Sequence, residues 1–351
     1  MGSLVLAQPM FARLRQLYPA AALHVLLFEK NQPALDLLGV VPERNVITIS
    51  DSSLPRLLGD SLAAILKFAK EPFDVAIDCE LFARVGSIFS YLSGATVRVG
   101  FHPHTQEGLY RGSFINRPVL YNPYRHIADQ FLTLVAAVES ETIPKAKEAS
   151  APPAAPPPPV SFPDVELLSV RERLLSDFPA IRGRKLVLVN PSGGQLPLRA
   201  WPLEHYFSVC EELLRDGHAV GIIGLPDDRA YGRAFRERFP GDRCVDLTGY
   251  TETVRQLVAV FHCADLLISN DGGAGHLAAL TPVPTIVLFG PETPVLYGNL
   301  GGKSCRLYAA WPCSPCLSAY NHRRSPCDGD NQCLKQIAPE QVLAKAREVL
   351  G

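Results

Sequence analysis

The chain has 351 residues, a length that fits two domains. Hydrophobic residues make up 47% and charged residues 20%, the balance of a globular protein, which excludes wholesale disorder. Thirty-four Lys and Arg against thirty-five Asp and Glu give a formal net charge of -1, so a nucleic-acid binder working through a whole-chain positive field is excluded as well.

Residues 1–19, MGSLVLAQPMFARLRQLYP, carry no basic residue ahead of their short apolar stretch and fail as a secretory signal. They read as loop and helix with no strand before them. A doubly wound domain normally opens on a central strand, so the expectation is a reading frame that begins upstream of Met1, with the first strand lacking here. Short β-rich runs follow at 22–28, 45–49, 73–78 and 96–101, with helical spacing between them, as over 54–70. Residues 151–163, APPAAPPPPVSFP, hold seven prolines and read as an extended connector. The second half repeats the scheme, with apolar runs at 185–190, 219–224, 244–247, 264–270 and 284–290 alternating with amphipathic segments. Such alternation predicts parallel sheets covered on both faces. The expected organisation is therefore an α/β chain of two doubly wound, Rossmann-like domains, 1–150 and 164–351, with a ligand cleft between them at the carboxyl ends of the strands. No apolar run approaches the roughly 20 residues of a transmembrane helix, so the expected location is cytoplasmic, with at most a peripheral contact on the inner membrane.

The strongest chemical signal lies at 264–294. A buried strand ends at Asn270-Asp271, then Gly272, Gly273 and Gly275 open a helix carrying Ala274 and His276. Helix N-termini present unpaired N–H groups and partial positive charge, and glycines let an anion come close. The pattern reads as a diphosphate cradle.

The cysteines divide in two. Cys79, Cys210, Cys244, Cys263 and Cys305 are scattered among apolar residues and read as core. Cys313, Cys316, Cys327 and Cys333 crowd into 21 residues with spacing that a tetrahedral structural zinc site could use. Reduced or paired thiols are the other reading, and both stand.

The block Asp271-Gly272-Gly273-Ala274-Gly275-His276, followed by Phe289-Gly290-Pro291-Glu292-Thr293-Pro294, resembles the donor signature of glycosyltransferase family 9, the ADP-heptose:lipopolysaccharide heptosyltransferases. That signature reads Asp-Ser/Thr-Gly-x-x-His, then Phe/Tyr-Gly-Pro-Thr-x-Pro; here Gly272 replaces the hydroxyl residue. Asn190-Pro191-Ser192-Gly193-Gly194 and Arg199-Ala200-Trp201-Pro202 are similar to the family's phosphate loop and Lys-x-Trp-Pro element, with Arg199 in the place of Lys. Gly224-Leu225-Pro226-Asp227-Asp228 is similar to the turn whose acid holds the ribose, and Asp246-Leu247-Thr248-Gly249 to the loop beside the adenine. Bland readings remain beside these: helix capping for Asp227 or Asp228, packing for Trp201, a surface charge for Arg199.

In the first half, Gly2-Ser3 and Pro9 resemble the family's Gly-Asp loop and helix, where the aspartate is the base that deprotonates the acceptor. A neutral Ser3 cannot take a proton near pH 7, and Asp78 and Glu80 at the end of a strand are the nearest replacements. Arg84 occupies the place of a family lysine near the acceptor. Between residues 96 and 128 stand four arginines (98, 111, 117, 125) and three histidines (102, 104, 126) against the single acid Glu107. Arg98, Arg111, Arg125 and His126 there suit an anionic glycolipid, with a solvated charge run as the alternative.

The resemblance implies a GT-B fold, two Rossmann-like domains facing each other, with the last helix, 339–350, packing back across their junction. It implies an inverting transferase that uses a nucleotide-diphosphate sugar, ADP-heptose by family, without a cofactor for transfer. A nucleotide-sugar-binding relative impaired in catalysis is the alternative, because of Ser3.

Overall fold

A computed structural model describes residues 1–102, 110–147, 153–321 and 323–351. His104, Glu107 and His322 lie outside these. The chain forms two compact units, one of residues 3–155 with 317–324, the other of residues 156–316 with 325–351.

The first unit starts with helix α1 (Gly2–Leu17), so Gly2 and Ser3 form a helical turn. Strands β1 (Val25–Phe28) and β2 (Val46–Ile49), with α2 (Gln32–Leu38) between them, pair in parallel as one sheet. Helix α3 (Leu54–Lys70) has Pro55 in its first turn, where the missing N–H costs nothing. A second parallel sheet joins β3 (Val75–Asp78), β4 (Val97–Phe101) and β5 (Arg117–Val119), with α4 (Val85–Leu92) between the first two. Pro118 cannot donate to a ladder, which suits β5 to its place at the sheet edge. Helix α5 (Ile127–Ala136) buries Ile127, Phe131 and Leu134.

Residues 153–163 hold neither helix nor strand. In the second unit they are tied down, Val160 N–H donating to Leu280 O at 2.8 Å and Phe162 meeting His262 edge-on at 5.2 Å.

The second unit alternates α6 (Asp164–Asp177), β6 (Leu186–Asn190), α7 (Leu203–Arg215), β7 (Ala219–Gly224), α8 (Arg229–Arg238), β8 (Cys244–Thr248), α9 (Val254–His262), β9 (Leu266–Asn270), α10 (Gly273–Ala278) and β10 (Thr285–Phe289). Then come α11 (Pro294–Tyr297), β11 (Ser304–Tyr308), α12 (Gln332–Lys335) and α13 (Pro339–Leu350). Six parallel strands lie in the order β11-β10-β9-β6-β7-β8. Every residue of β9 and β10 is buried, which is why both read as unbroken apolar runs.

Leaving β6 the chain turns toward β7, and leaving β9 it turns the other way, toward β10. The carboxyl ends of these neighbouring strands therefore diverge and open a crevice, the usual ligand position in such sheets. Helix α13 packs on the second unit. Its Val342, Ala346 and Leu350 join the core of the second unit against α7, and Arg347 pairs with Asp216 at 2.7 Å.

Candidate functional site

The crevice is organised by Asn270, a buried side chain that sequence reasoning passed over. Its Oδ1 accepts from Trp201 N–H at 3.0 Å and Tyr206 O–H at 2.9 Å. Its Nδ2 donates to Pro191 O at 2.9 Å and Ser192 O at 3.2 Å. One amide thus joins the loops after β6 and β9 and the start of α7. A polar residue closing a buried strand was the available signal. In the β6 loop a Cβ on Gly193 would stand 2.7 Å from Leu196 O, and Gly194 has a φ of +60°; neither position accepts a side chain without strain.

Asp271 N–H remains in the sheet, donating to Leu288 O at 2.9 Å. Gly272 then takes extended backbone that any residue can adopt, and α10 begins at Gly273. Among the described residues the amides of Gly272 and Gly273 meet no acceptor, as the first turn of a helix leaves them. A Cβ on Gly273 would find nothing within 4 Å, so the space before this turn is open, whereas one on Gly275 would sit 3.2 Å from Val287 Cγ2. Gly275 lets α10 lie close on β10; Ala274 and the buried His276 follow on the same turn.

Arg199 is held between two acids. Its Nε lies 3.6 Å from Asp271 Oδ2 and its Nη2 is hydrogen-bonded to Glu292 Oε2. Both acids are buried. Two carboxylates thus orient one guanidinium. Glu292 was not singled out from sequence, since an acid after Gly-Pro reads as a surface residue.

Around this turn several expected contacts take structural roles. Asp228 accepts from Leu225 N–H at 2.8 Å and from Ser192 Oγ at 2.7 Å, so it caps its turn and ties it to the β6 loop. Asp227 is exposed and stays available. Thr248 Oγ donates to Asp246 at 2.6 Å. The Leu247 side chain is buried in the core, which leaves only its backbone for a ligand. Trp201 is packing, its Nε1 donating to Leu334 O and Ile337 O at 3.1 and 3.0 Å.

In the first unit Ser3 is exposed in the first turn of α1. Asp78 is buried and its carboxyl is pushed up to about 6 by desolvation, against the opposing pull of the Glu80 amide and Arg111. Glu80 caps the following loop, accepting from the Phe82 and Ala83 amides at 2.6 and 3.2 Å. Several described cations of 96–128 are held by partners within the chain. Arg98 donates to Phe114 O and Ala95 O at 2.7 Å. Arg111 is buried beside Asp78 and Glu80, and its burial lowers its pKa. Arg117 pairs with Glu141 at 2.8 Å, and Arg125 stands 3.9 Å from Asp129. His126 caps α5, accepting from Ala128 N–H. Arg84 sits at the start of α4. Arg98, Arg111, Arg117 and Arg125 thus each have a partner within the chain, while the Arg125 side chain stays 39% exposed.

The four clustered cysteines are free thiols. Cys333 lies in the core cluster and its thiol is pushed up to about 11, by burial first and then by its neighbours Cys316, Cys313 and Cys327. Cys313 and Cys327 are at the surface. Among the described residues no group of three His, Cys, Asp or Glu side chains is placed to hold a metal ion.

The family model glycosyltransferase family 9 (heptosyltransferase) matches residues 63–325. Lipooligosaccharide heptosyltransferase 2 of Haemophilus influenzae is 28% identical over 179 residues, 49% of this chain and 49% of that protein. The same-named protein of Haemophilus ducreyi is 22% identical over 307 residues, covering 84% and 81%. The chain spans about half the length of the first curated relatives it matches, 49% for H. influenzae and 56% for lipopolysaccharide heptosyltransferase 2 of Salmonella typhimurium. Among solved structures, E. coli ADP-heptose lipopolysaccharide heptosyltransferase II superposes with a TM-score of 0.74 at 19% identity, covering 99% of this chain and 95% of that one. E. coli heptosyltransferase WaaC with ADP gives 0.67 at 18%, covering 99% and 96%. The fold is the GT-B fold of those proteins. With the crevice, the glycine turn and the family match over most of its length in agreement, the chain belongs to glycosyltransferase family 9.

Proposed function

We propose that the chain is an inverting glycosyltransferase that takes a sugar from a nucleotide diphosphate, ADP-heptose, and transfers it to a lipopolysaccharide-core glycolipid at the cytoplasmic face of the inner membrane. The observation that carries the reading is the crevice after β6 and β9, where the Gly272 and Gly273 amides lie beside an Arg199 held in place by two acids. Pre-set N–H donors and a fixed guanidinium are what a departing diphosphate requires. The relatives named as heptosyltransferases, one of them solved with ADP, support the choice of adenine nucleotide and of heptose.

In one displacement the acceptor oxygen bonds to the anomeric carbon as the bond from that carbon to the phosphate oxygen breaks. The electron pair leaves with the diphosphate, and the hydroxyl proton passes to a base. Ser3 is neutral and Glu80 is committed to two amides. Asp78, whose carboxyl titrates near 6, is the remaining acid and has the basicity that proton transfer at neutral pH asks for. Asp227 is assigned to the ribose hydroxyls, and the backbone at Leu247 and Thr248 to the adenine edge.

Calorimetry with ADP, UDP and GDP tests the donor assignment. ADP is expected to bind, and Asp271→Asn and Arg199→Lys each to weaken it about tenfold. Diphosphate release from ADP-heptose with a core acceptor tests transfer. Equal binding of the three nucleotides removes the donor reading, and binding without turnover removes the transferase reading.

A further inference from the structure

Helix α3 turns its leucines outward. Leu54, Leu58, Leu62 and Leu66 are 54–66% exposed, while the helix packs inward through Ala64 and Phe68. Spaced four residues apart, they form a band about 18 Å long that advances roughly 40° at each step. Helix α4 inverts the pattern expected of a helix facing water. It buries Ser87 and Ser90, whose hydroxyls donate to Arg84 O and Gly86 O at 2.7 and 3.0 Å, and it exposes Ile88, Tyr91 and Leu92. The two helices touch, with Phe68 and Phe89 rings 6.4 Å apart. Two touching helices that both turn apolar side chains outward present exposed apolar area of the kind that marks an interaction surface.

Charge selects the occupant. Going round α3 from the leucine band, the exposed Lys70 and Arg56 come next, at about 100° per residue, and Lys67, beyond them, donates to Arg44 O at 3.1 Å. Asp60, the one acid of this helix, is instead turned into the fold, accepting from Ser50 N–H at 2.9 Å. An apolar face bordered by cations complements an anionic lipid headgroup layer over acyl chains. The alternative, a second copy of the chain, fits less well. A four-residue repeat sweeps across the helix surface and does not keep the straight seam that a 3.5-residue repeat gives a coiled coil. We propose that α3 and α4 form a face that docks on an anionic phospholipid bilayer, with the leucines entering the acyl boundary.

The test is co-sedimentation of the full chain with phosphatidylcholine vesicles, with and without about 30% phosphatidylglycerol; it is independent of the donor assignment. Wild type should bind the anionic vesicles and lose binding in high salt. Leu58→Glu/Leu62→Glu should bind at least about tenfold more weakly. Both positions are exposed, so the fold should survive, and Leu58→Ser/Leu62→Ser replaces that variant if its circular dichroism is altered. Failure of wild type to bind the anionic vesicles, or equal binding by the variants, overturns the proposal. A wild-type dimer that these variants convert to monomer, without vesicle binding, assigns the face to a second copy and overturns it as well.

Discussion

Asp78 shows how one buried side chain sets a pH dependence. Its carboxyl holds its proton up to about 6 in the folded chain, against an ordinary value of 3.8, because burial disfavours the charge. The folded state therefore binds more protons than the unfolded one between those values, and stability falls as pH rises through that window. The displacement is worth about 3 kcal/mol. Denaturant unfolding of wild type and Asp78→Asn should show the variant gaining by that amount between pH 4 and pH 7, and a constant difference would contradict the assignment. The Arg199 cluster gives the second residue-scale prediction. Arg199→Ala removes the guanidinium that stands beside the buried carboxylates of Asp271 and Glu292, a change that costs about 3–5 kcal/mol. Arg199→Ala/Glu292→Gln should recover part of this loss. Additive losses in chemical denaturation would show that the three groups do not act together.

At the scale of elements, the glycines separate packing from binding. A Cβ on Gly290 would lie 2.5 Å from Leu334 Cγ and 3.1 Å from Cys333 Sγ, because α12 rests on the end of β10. Gly290→Ala should thus lose about 1–3 kcal/mol by overpacking. Gly273→Ala meets nothing within 4 Å and should melt with wild type, yet it should weaken ADP binding because the new methyl stands where the diphosphate approaches. The reverse pattern in melting curves and calorimetry would move the ligand away from α10.

The same contrast explains what was legible from the residues. Strands β6, β7, β9 and β10 announced themselves because burial on both faces demands unbroken apolar runs. Strands β5 and β11 did not, since edge strands tolerate Pro118 and Arg306. The glycine turn could be read because its backbone requirement leaves a mark in composition. The pairing of Arg199 with Glu292 could not, because the partners are 93 residues apart and only the fold joins them. The cysteine spacing could not show how the fold distributes these thiols, with Cys333 in the core and Cys313 and Cys327 at the surface.

For the whole molecule, the two units have unequal cores. The second has one six-stranded sheet with strands β9 and β10 wholly buried. The first has its strands in two separate sheets and leaves the leucines of α3 outside. Apolar area removed from water is the main stabilising term, so the first unit should melt at lower temperature and scanning calorimetry should resolve two transitions. The proposed donor site lies wholly in residues 190–294, within the second unit. A ligand stabilises only the state that binds it, by about 2.7 kcal/mol at a hundredfold excess over its dissociation constant. ADP should therefore raise the upper transition and leave the lower one in place. If ADP moves the lower transition instead, the nucleotide site belongs to the first unit, and the glycine turn at Asp271 is a packing device.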